Sequence, residues 1–383
     1  MNLTMIPGSK NKNGFLLRIL FLTWILSKAI CFRLWMGERD FPLVPVWDGL
    51  LALPLWIHFA LFVSSMALMA LSVAAPRKLF IWVILAFEIM LCLMDQNRWQ
   101  PWEYQFLFFI FCCVAFKPEN MVRKSWQIIL VSTYFFGGLF KLNAYFIHDT
   151  WQYLILIKWL HIQNSNVWLL RAGYILPLLE MCAGLLLLFR KTQKPAALVL
   201  ISMHLFILLF LGPVGLNINA VVWPWNVFLI MLLFYLFYKN PQPVFDGMVF
   251  YRPAFFLIIL AWLVMPWFQF WGFWDKYLSS VLYGGGVVQL FICSTNAEAL
   301  QRASPYRKDI GSLIPCREFI PVYQWGMYEM NTAPYPEQRI FKKIMKSWEQ
   351  KYGSATFYLF KPGFKASVKI WDKSGGGSWR PVR

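Results

Sequence analysis

Apolar runs long enough to cross a bilayer recur along the first 275 residues, separated mostly by short loops. The stretches 14–32, 49–74, 79–95, 103–117, 127–146, 167–189, 195–213, 221–238 and 254–274 read as spans. Lipid offers the backbone no hydrogen-bond partners, so runs this apolar must satisfy themselves internally as helices. Composition agrees, with 59% of residues hydrophobic and only 14% charged, against about 25% charged in soluble domains. The expected fold is an all-α polytopic membrane bundle of about nine spans, eight to ten within boundary error, over residues 1–275. Residues 276–383 follow as a small, basic α+β extramembrane domain.

A net charge of +18 suggests nucleic acid until its placement is examined. Half of it (16 basic minus 7 acidic, +9) lies in 276–383, and much of the rest lies in short loops. Arg77, Lys78, Arg123, Lys124, Arg190, Lys191, Lys194, Lys239 and Arg252 mark alternate loops. The opposite loops carry only Arg33, Arg39, Arg98 and Lys158. That asymmetry places the N-terminus in the cytoplasm and, after an odd number of spans, the C-terminal domain outside it. Nucleic acid is excluded as a partner, and the bilayer is the implied one. The basic, then apolar N-terminus lacks a small-residue cleavage site and reads as a retained span. Seven cysteines show no metal-ligand spacing, so no metal site is expected. Cys293 and Cys316 fall in the exported tail and are expected to lie within bridging distance.

Within the tail, Lys342–Lys351 reads as a basic amphipathic helix with a solvated face. Alternation in Ala355–Phe360 and Ala366–Trp371 predicts two strands, paired as a hairpin across Lys361–Lys365. The final S-G-G-G-S-W-R-P-V-R reads as flexible. The loop 33–48 reads as interfacial, and 147–166 as a connector.

Ionisable groups inside apolar segments are the candidates for chemistry. Lys141 sits in Y-F-F-G-G-L-F-K-L-N (Tyr134–Asn143), one turn after the pair Gly137–Gly138, which permits close helix approach. It reads either as an amine snorkelling to the interface or as a functional base. Glu180 and His204 lie in the middle of their spans, and Lys141 and Glu180 are placed to pair across helices. Glu88 and His58 read as buried groups satisfied by a neighbouring helix. Two loops add polar groups among their tryptophans: D-Q-N-R-W-Q-P-W-E-Y-Q-F (Asp95–Phe106), with an Arg98–Glu103 pair, and G-P-V-G-L-N-I-N-A-V-V-W-P-W-N (Gly212–Asn226). Lys141 falls about 21 Å along its span and His204 about 13 Å along its own at 1.5 Å per residue. The two are expected to line one cavity in the outer half of the membrane, with Glu180 on an adjacent helix.

These stretches resemble the vitamin K-dependent gamma-glutamyl carboxylase family, whose membrane part defines the HTTM-type superfamily. Y-F-F-G-G-L-F-K-L-N is similar to that family's Y-F-x-A-G-x-K-K-L-D, and L-E-M-C-A-G-L-L-L-L-F (Leu179–Phe189) to its L-D-L-S-A-G-F-L-L-F-F. Met203–His204 resembles its F-H-C-M-N-S helix start, and the Asp95–Phe106 loop its D-K-T-S-W-N-N-H-S-Y-L-Y. Tyr283–Gly286 is similar to a Y-S-G element of bacterial relatives. The resemblance covers about residues 14–290 and implies a quinone-dependent membrane enzyme using a reduced, vitamin K-like quinone. It implies Lys141 as the base, with His204 and Glu180 beside it in the catalytic site. Trp99, Trp102, Asn143, Asn217, Trp223 and Asn226 are the candidates for holding the cofactor. The family's asparagine–histidine pair is Pro101–Trp102 here, and the tail is short, which counts against glutamate carboxylation.

Two other classes remain open. One is a non-enzymatic redox-partner or assembly membrane protein, of the kind the DoxX and MauE groups suggest, with the tail binding an exported protein or peptide. The other is a proton-coupled transporter using Lys141 and Glu180, against which stands the lack of an internal repeat.

Overall fold

The computed structural model describes residues 12–245, 253–309, 316, 318–361, 367–372 and 377–382. A helix stands at each predicted segment: α1 Lys12–Ile30, α2 Trp56–Ala74, α3 Lys78–Met94, α4 Pro101–Ala115 and α5 Glu119–Leu139. Then come α6 Val167–Leu186, α7 Gln193–Leu211, α8 Ala220–Tyr238 and α9 Pro253–Trp271. Five of these, α2 and α6 to α9, are long and apolar enough to cross a membrane. Each of the other four carries a buried charge: Lys28 in α1, Glu88 in α3, Glu103 in α4 and Lys124 in α5. Most side chains of α4 and α5 are buried. By contrast α2, α6, α7 and α9 turn most of their apolar surface outward.

Two departures from the expected boundaries bear on the site. The predicted span 127–146 is displaced, because α5 starts at Glu119 and stops at Leu139. Lys141 therefore lies in the turn beyond the helix. Asn143 fixes that turn: its Nδ2 donates to Phe140 O at 2.6 Å and its Oδ1 accepts from Phe146 N at 2.9 Å. The chain then re-enters a helix at once, a π-helix over Phe146–Trp159, within the segment expected as a connector. Upstream, Gly138 sets the approach of α5 to α6. A Cβ there would stand 2.5 Å from Pro177 O and Met181 N, both backbone atoms.

The C-terminal part carries a six-stranded antiparallel sheet in the order β2-β3-β1-β4-β5-β6. Its strands are β1 Gln289–Cys293, β2 Lys308–Asp309, β3 Glu318–Pro321, β4 Thr356–Lys361, β5 Ser367–Asp372 and β6 Ser378–Pro381. The expected hairpin is β4–β5, with Lys361 opposite Ser367; its turn, 362–366, lies outside the described residues. The terminal segment read as flexible contributes β6, pairing Trp379 with Trp371. Two helices, α10 Val322–Met330 and α11 Gln338–Tyr352, add Trp325, Ile340, Phe341, Ile344 and Trp348 to the main core, with Leu290, Ile292, Phe357 and Leu359 of the sheet. Phe291, Phe319 and Tyr358 form a second cluster beside Cys293 and Cys316. Those cysteines are disulfide-bonded, with Cα atoms 6.2 Å apart.

α11 is the expected amphipathic helix, with Lys342, Lys346 and Lys351 exposed, but its solvated face is also tied to the first loop. Lys343 Nζ lies 2.8 Å from Asp48 and Lys351 Nζ 2.8 Å from Asp40. The loop 33–48, expected at the lipid interface, is held beneath this domain, with Phe41 fully buried against Trp325.

Candidate functional site

Lys141 and Glu180 meet as the sequence allowed. Nζ lies 3.0 and 2.7 Å from the two carboxylate oxygens, with 16% and 10% of the side chains exposed. The geometry follows from the glycines: Gly138 brings α6 against α5, and a Cβ at Gly137 would stand 2.7 Å from Glu180 Oε1. The pair lines a cavity of about 90 Å³ whose walls are otherwise mostly apolar, among them Phe146, Ile155, Leu176, Phe206 and Phe210, with Thr150 and Tyr283 the other polar residues. A bidentate pair satisfies both charges, so neither group is free.

His204 is held elsewhere. Its Nδ1 donates to Asn226 Oδ1 at 2.7 Å, and its Nε2 accepts from Tyr134 Oη at 2.8 Å. Asn226 Nδ2 in turn donates to Val222 O at 2.7 Å. That assignment makes His204 a neutral imidazole tying α5, α7 and α8 together. Its neighbours Met203, Phe206 and Ile207 line the Lys141 cavity; the His204 side chain is not among the lining groups.

None of the six cofactor candidates is among the residues lining the Lys141 cavity. Asn143 is occupied in the turn described above, Asn226 holds His204, and Asn217 is an exposed turn residue with φ 51°. Trp223 is half-buried in the first turn of α8. Trp99 packs against Tyr104. Trp102 is buried against Trp35 and Phe106, and it borders a second cavity of about 190 Å³ under the C-terminal domain.

A concentration of buried charge lies apart from the Lys141 cavity. Lys28, Glu88 and Glu103 are all at 0% exposure where α1, α3 and α4 meet. Lys28 Nζ donates to Glu88 Oε2 at 2.6 Å, stands 3.9 Å from Glu103 Oε2 and sits 2.9 Å from the centre of the Trp35 ring. Ser65 donates to Glu88 Oε1, and Trp24 Nε1 donates to Glu103 Oε2 at 2.6 Å. Glu103 Oε1 has no hydrogen-bond partner among the described residues. Two fully buried carboxyls share one ammonium, and a proton on Glu103 would remove the unpaired charge. Lys28 was missed because it stands near the end of its span, where a lysine ordinarily snorkels.

Glu103 is thus committed to Trp24 and Lys28, and the expected Arg98–Glu103 pair does not form. Arg98 instead donates to Leu34 O, Leu91 O and Trp35 O at 2.9–3.0 Å and meets His58 Nδ1 at 2.9 Å. Asp95 pairs with Arg39. Asn97 Oδ1 accepts from Tyr335 N at 3.1 Å, and Gln100 Nε2 donates to Ala333 O at 3.0 Å. The polar loop that resembled a family motif is here a clamp between helices and C-terminal domain.

No protein family, curated protein or solved structure matches the chain.

Proposed function

We propose that this is an integral membrane protein whose Lys141–Glu180 pair receives the polar end of a lipid-soluble, quinone-type molecule, in the manner of the carboxylase-like HTTM superfamily. The observation that carries the reading is an ion pair lining a mostly apolar cavity. At about 90 Å³ the cavity is smaller than the ~300–1,000 Å³ of sites that enclose a whole ligand. It suits one ring or a small headgroup, with the remainder of the molecule left in the bilayer beside the outward-facing Leu178, Leu205 and Leu209.

Lys141 and Glu180 would hold that polar end. Transfer of a proton from the ammonium to the carboxylate leaves a neutral amine beside a carboxylic acid, with no change in net charge. The amine lone pair then accepts a proton from an acidic O–H placed against it, and Lys141 is again an ammonium. A reduced quinone supplies such an O–H. Glutamate carboxylation is not part of the reading, since Pro101–Trp102 lacks the family's polar pair. Nine spans, a cytoplasmic N-terminus and an exported, disulfide-bonded tail complete it. The competing reading is a redox-partner or assembly protein, favoured by that same disulfide-bonded domain.

Mass spectrometry of lipids retained through purification tests the proposal. A quinone-class molecule should accompany the wild type and be lost from the Lys141→Met/Glu180→Gln double variant, which keeps charge balance. Equal retention by both, or no retained quinone, overturns it.

A further inference from the structure

The Lys141 cavity has a neighbour. The 190 Å³ cavity under the C-terminal domain is bordered by Gln100, Asp149, Asn219 and Gln289, a more polar lining than that around Lys141. Two residues, Thr150 and Tyr283, line both cavities. The two cavities therefore adjoin at these two residues.

Tyr283 is held at both ends. Its hydroxyl accepts from Asn219 Nδ2 at 2.5 Å, and its carbonyl accepts from Thr150 Oγ1 at 2.9 Å. Its backbone is left-handed, with φ 56°. The chain on either side is stitched to the segment that follows Lys141. Gly284 O accepts from Asn143 Nδ2 at 3.1 Å, and Gly286 N donates to Asp149 Oδ2 at 3.3 Å. A Cβ at Gly285, where φ is 68°, would strike Tyr145 backbone at 2.4 Å. The backbone here is thus fixed, while the phenol ring, packed against the main core, has one hydrogen bond at its tip.

We propose that Tyr283 is a gate, and that the cavity under the C-terminal domain is a vestibule admitting water and small polar solutes to the Lys141–Glu180 pair. The pair then meets two phases: lipid-soluble ligand from the bilayer, and water-soluble reactant or released proton through the vestibule. Rotation of the phenol away from Asn219 joins the two cavities without moving the backbone. The inference rests on the Lys141 cavity being the ligand site, and the test below reads access alone. Altered access without a retained lipid would therefore separate the two proposals.

The test uses the full chain with the free cysteines Cys31, Cys92, Cys112, Cys113 and Cys182 replaced by alanine and the disulfide kept. Ile207→Cys reports on the Lys141 cavity and Val288→Cys on the vestibule. A cationic, membrane-impermeant methanethiosulfonate reagent is the probe. Val288→Cys should react quickly with or without the gate. Ile207→Cys should react slowly beside Tyr283 and at least about tenfold faster in Tyr283→Ala, since rate follows the open fraction. Asn219→Ala, which frees the hydroxyl and leaves the ring, should give a smaller acceleration and serves if Tyr283→Ala fails to fold. An Ile207→Cys rate that neither change alters, or an unreactive Val288→Cys, overturns the proposal.

Discussion

Lys141 Nζ lies within 3.0 Å of both oxygens of Glu180, joining a turn just past α5 to the middle of α6. Removing the amine therefore does not relieve a lone buried charge; it creates one. Lys141→Met should cost about 3 kcal/mol of stability in detergent, and adding Glu180→Gln should restore most of it. Thermal unfolding of the two single variants and the double variant measures the coupling. Additive losses would show that the pair contributes nothing.

The Lys28–Glu88–Glu103 site makes a different prediction, because its two acids are unequal. Lys28→Met strands the closely paired Glu88 and should cost roughly 3–5 kcal/mol. Glu103→Gln leaves the 2.6 Å Lys28–Glu88 pair intact and should cost far less. Infrared difference spectra at neutral pH should show a protonated-carboxyl band that disappears in Glu103→Gln. Persistence of that band would place the proton elsewhere.

Gly138 is where α5 and α6 touch, and the atoms a side chain would meet there are backbone, which cannot rotate away. Gly138→Ala should destabilise by about 1–3 kcal/mol, the range for overpacking. It should also weaken the Lys141–Glu180 coupling, as a double-mutant cycle in that background would show. Unchanged coupling would mean that the helices separate without moving the pair.

The disulfide closes a loop with a sequence separation of 23 residues, which in the chain-entropy model is worth about 3 kcal/mol. Cys293→Ser should lower the unfolding midpoint of the C-terminal domain more than that of the helices, as separate probes in each would report. Peptide mapping without reductant, on protein from its own membrane, should recover the Cys293–Cys316 pair. Finding both thiols free would contradict an exported domain.

Acid should loosen the C-terminal domain from the loop beneath it. The hydrogen bond from Lys343 and then its charge, with Lys346 adding to them, hold the Asp48 carboxyl below the usual aspartate range. A depressed acid lends stability above its ordinary pKa and loses it as pH falls through the lowered value. Proteolysis of the loop carrying Asp48 should thus quicken below about pH 4, and Asp48→Asn should show the effect already at neutral pH. High salt should mimic it in part, because these side chains are exposed.

Much of this was legible in the chain, and what was not has physical causes. Apolar runs located the helices α1 to α9, though not the end of α5 or the helix over Phe146–Trp159, and alternation located the β4–β5 hairpin, because both are local properties. The Lys141–Glu180 contact was legible because a glycine pair one turn before Lys141 lets a neighbouring helix approach, and Glu180 is an opposite charge in the middle of such a helix. His204 is not among the residues lining the Lys141 cavity, because hydrogen bonds to Tyr134 and Asn226 on neighbouring helices hold its ring, which depth along its own helix does not reveal. The Lys28 site was hidden because its residues come from three segments, none unusual alone. The exposed face of the tail's basic helix was legible, but its acidic partners, Asp40 and Asp48, were not, because they lie some three hundred residues away.

That distance has a consequence for biosynthesis. Asp40, Phe41 and Asp48 leave the ribosome early, yet Trp325, Lys343 and Lys351 are made after every helix of the bundle. Until then the first loop has no cover, and Phe41 and the acidic side chains face whatever the cell provides. The helices can be inserted in order, but the molecule cannot be finished until its last hundred residues fold back over its first fifty. A truncation before Trp325 should therefore leave a bundle open at that end and prone to degradation, however well its helices are inserted.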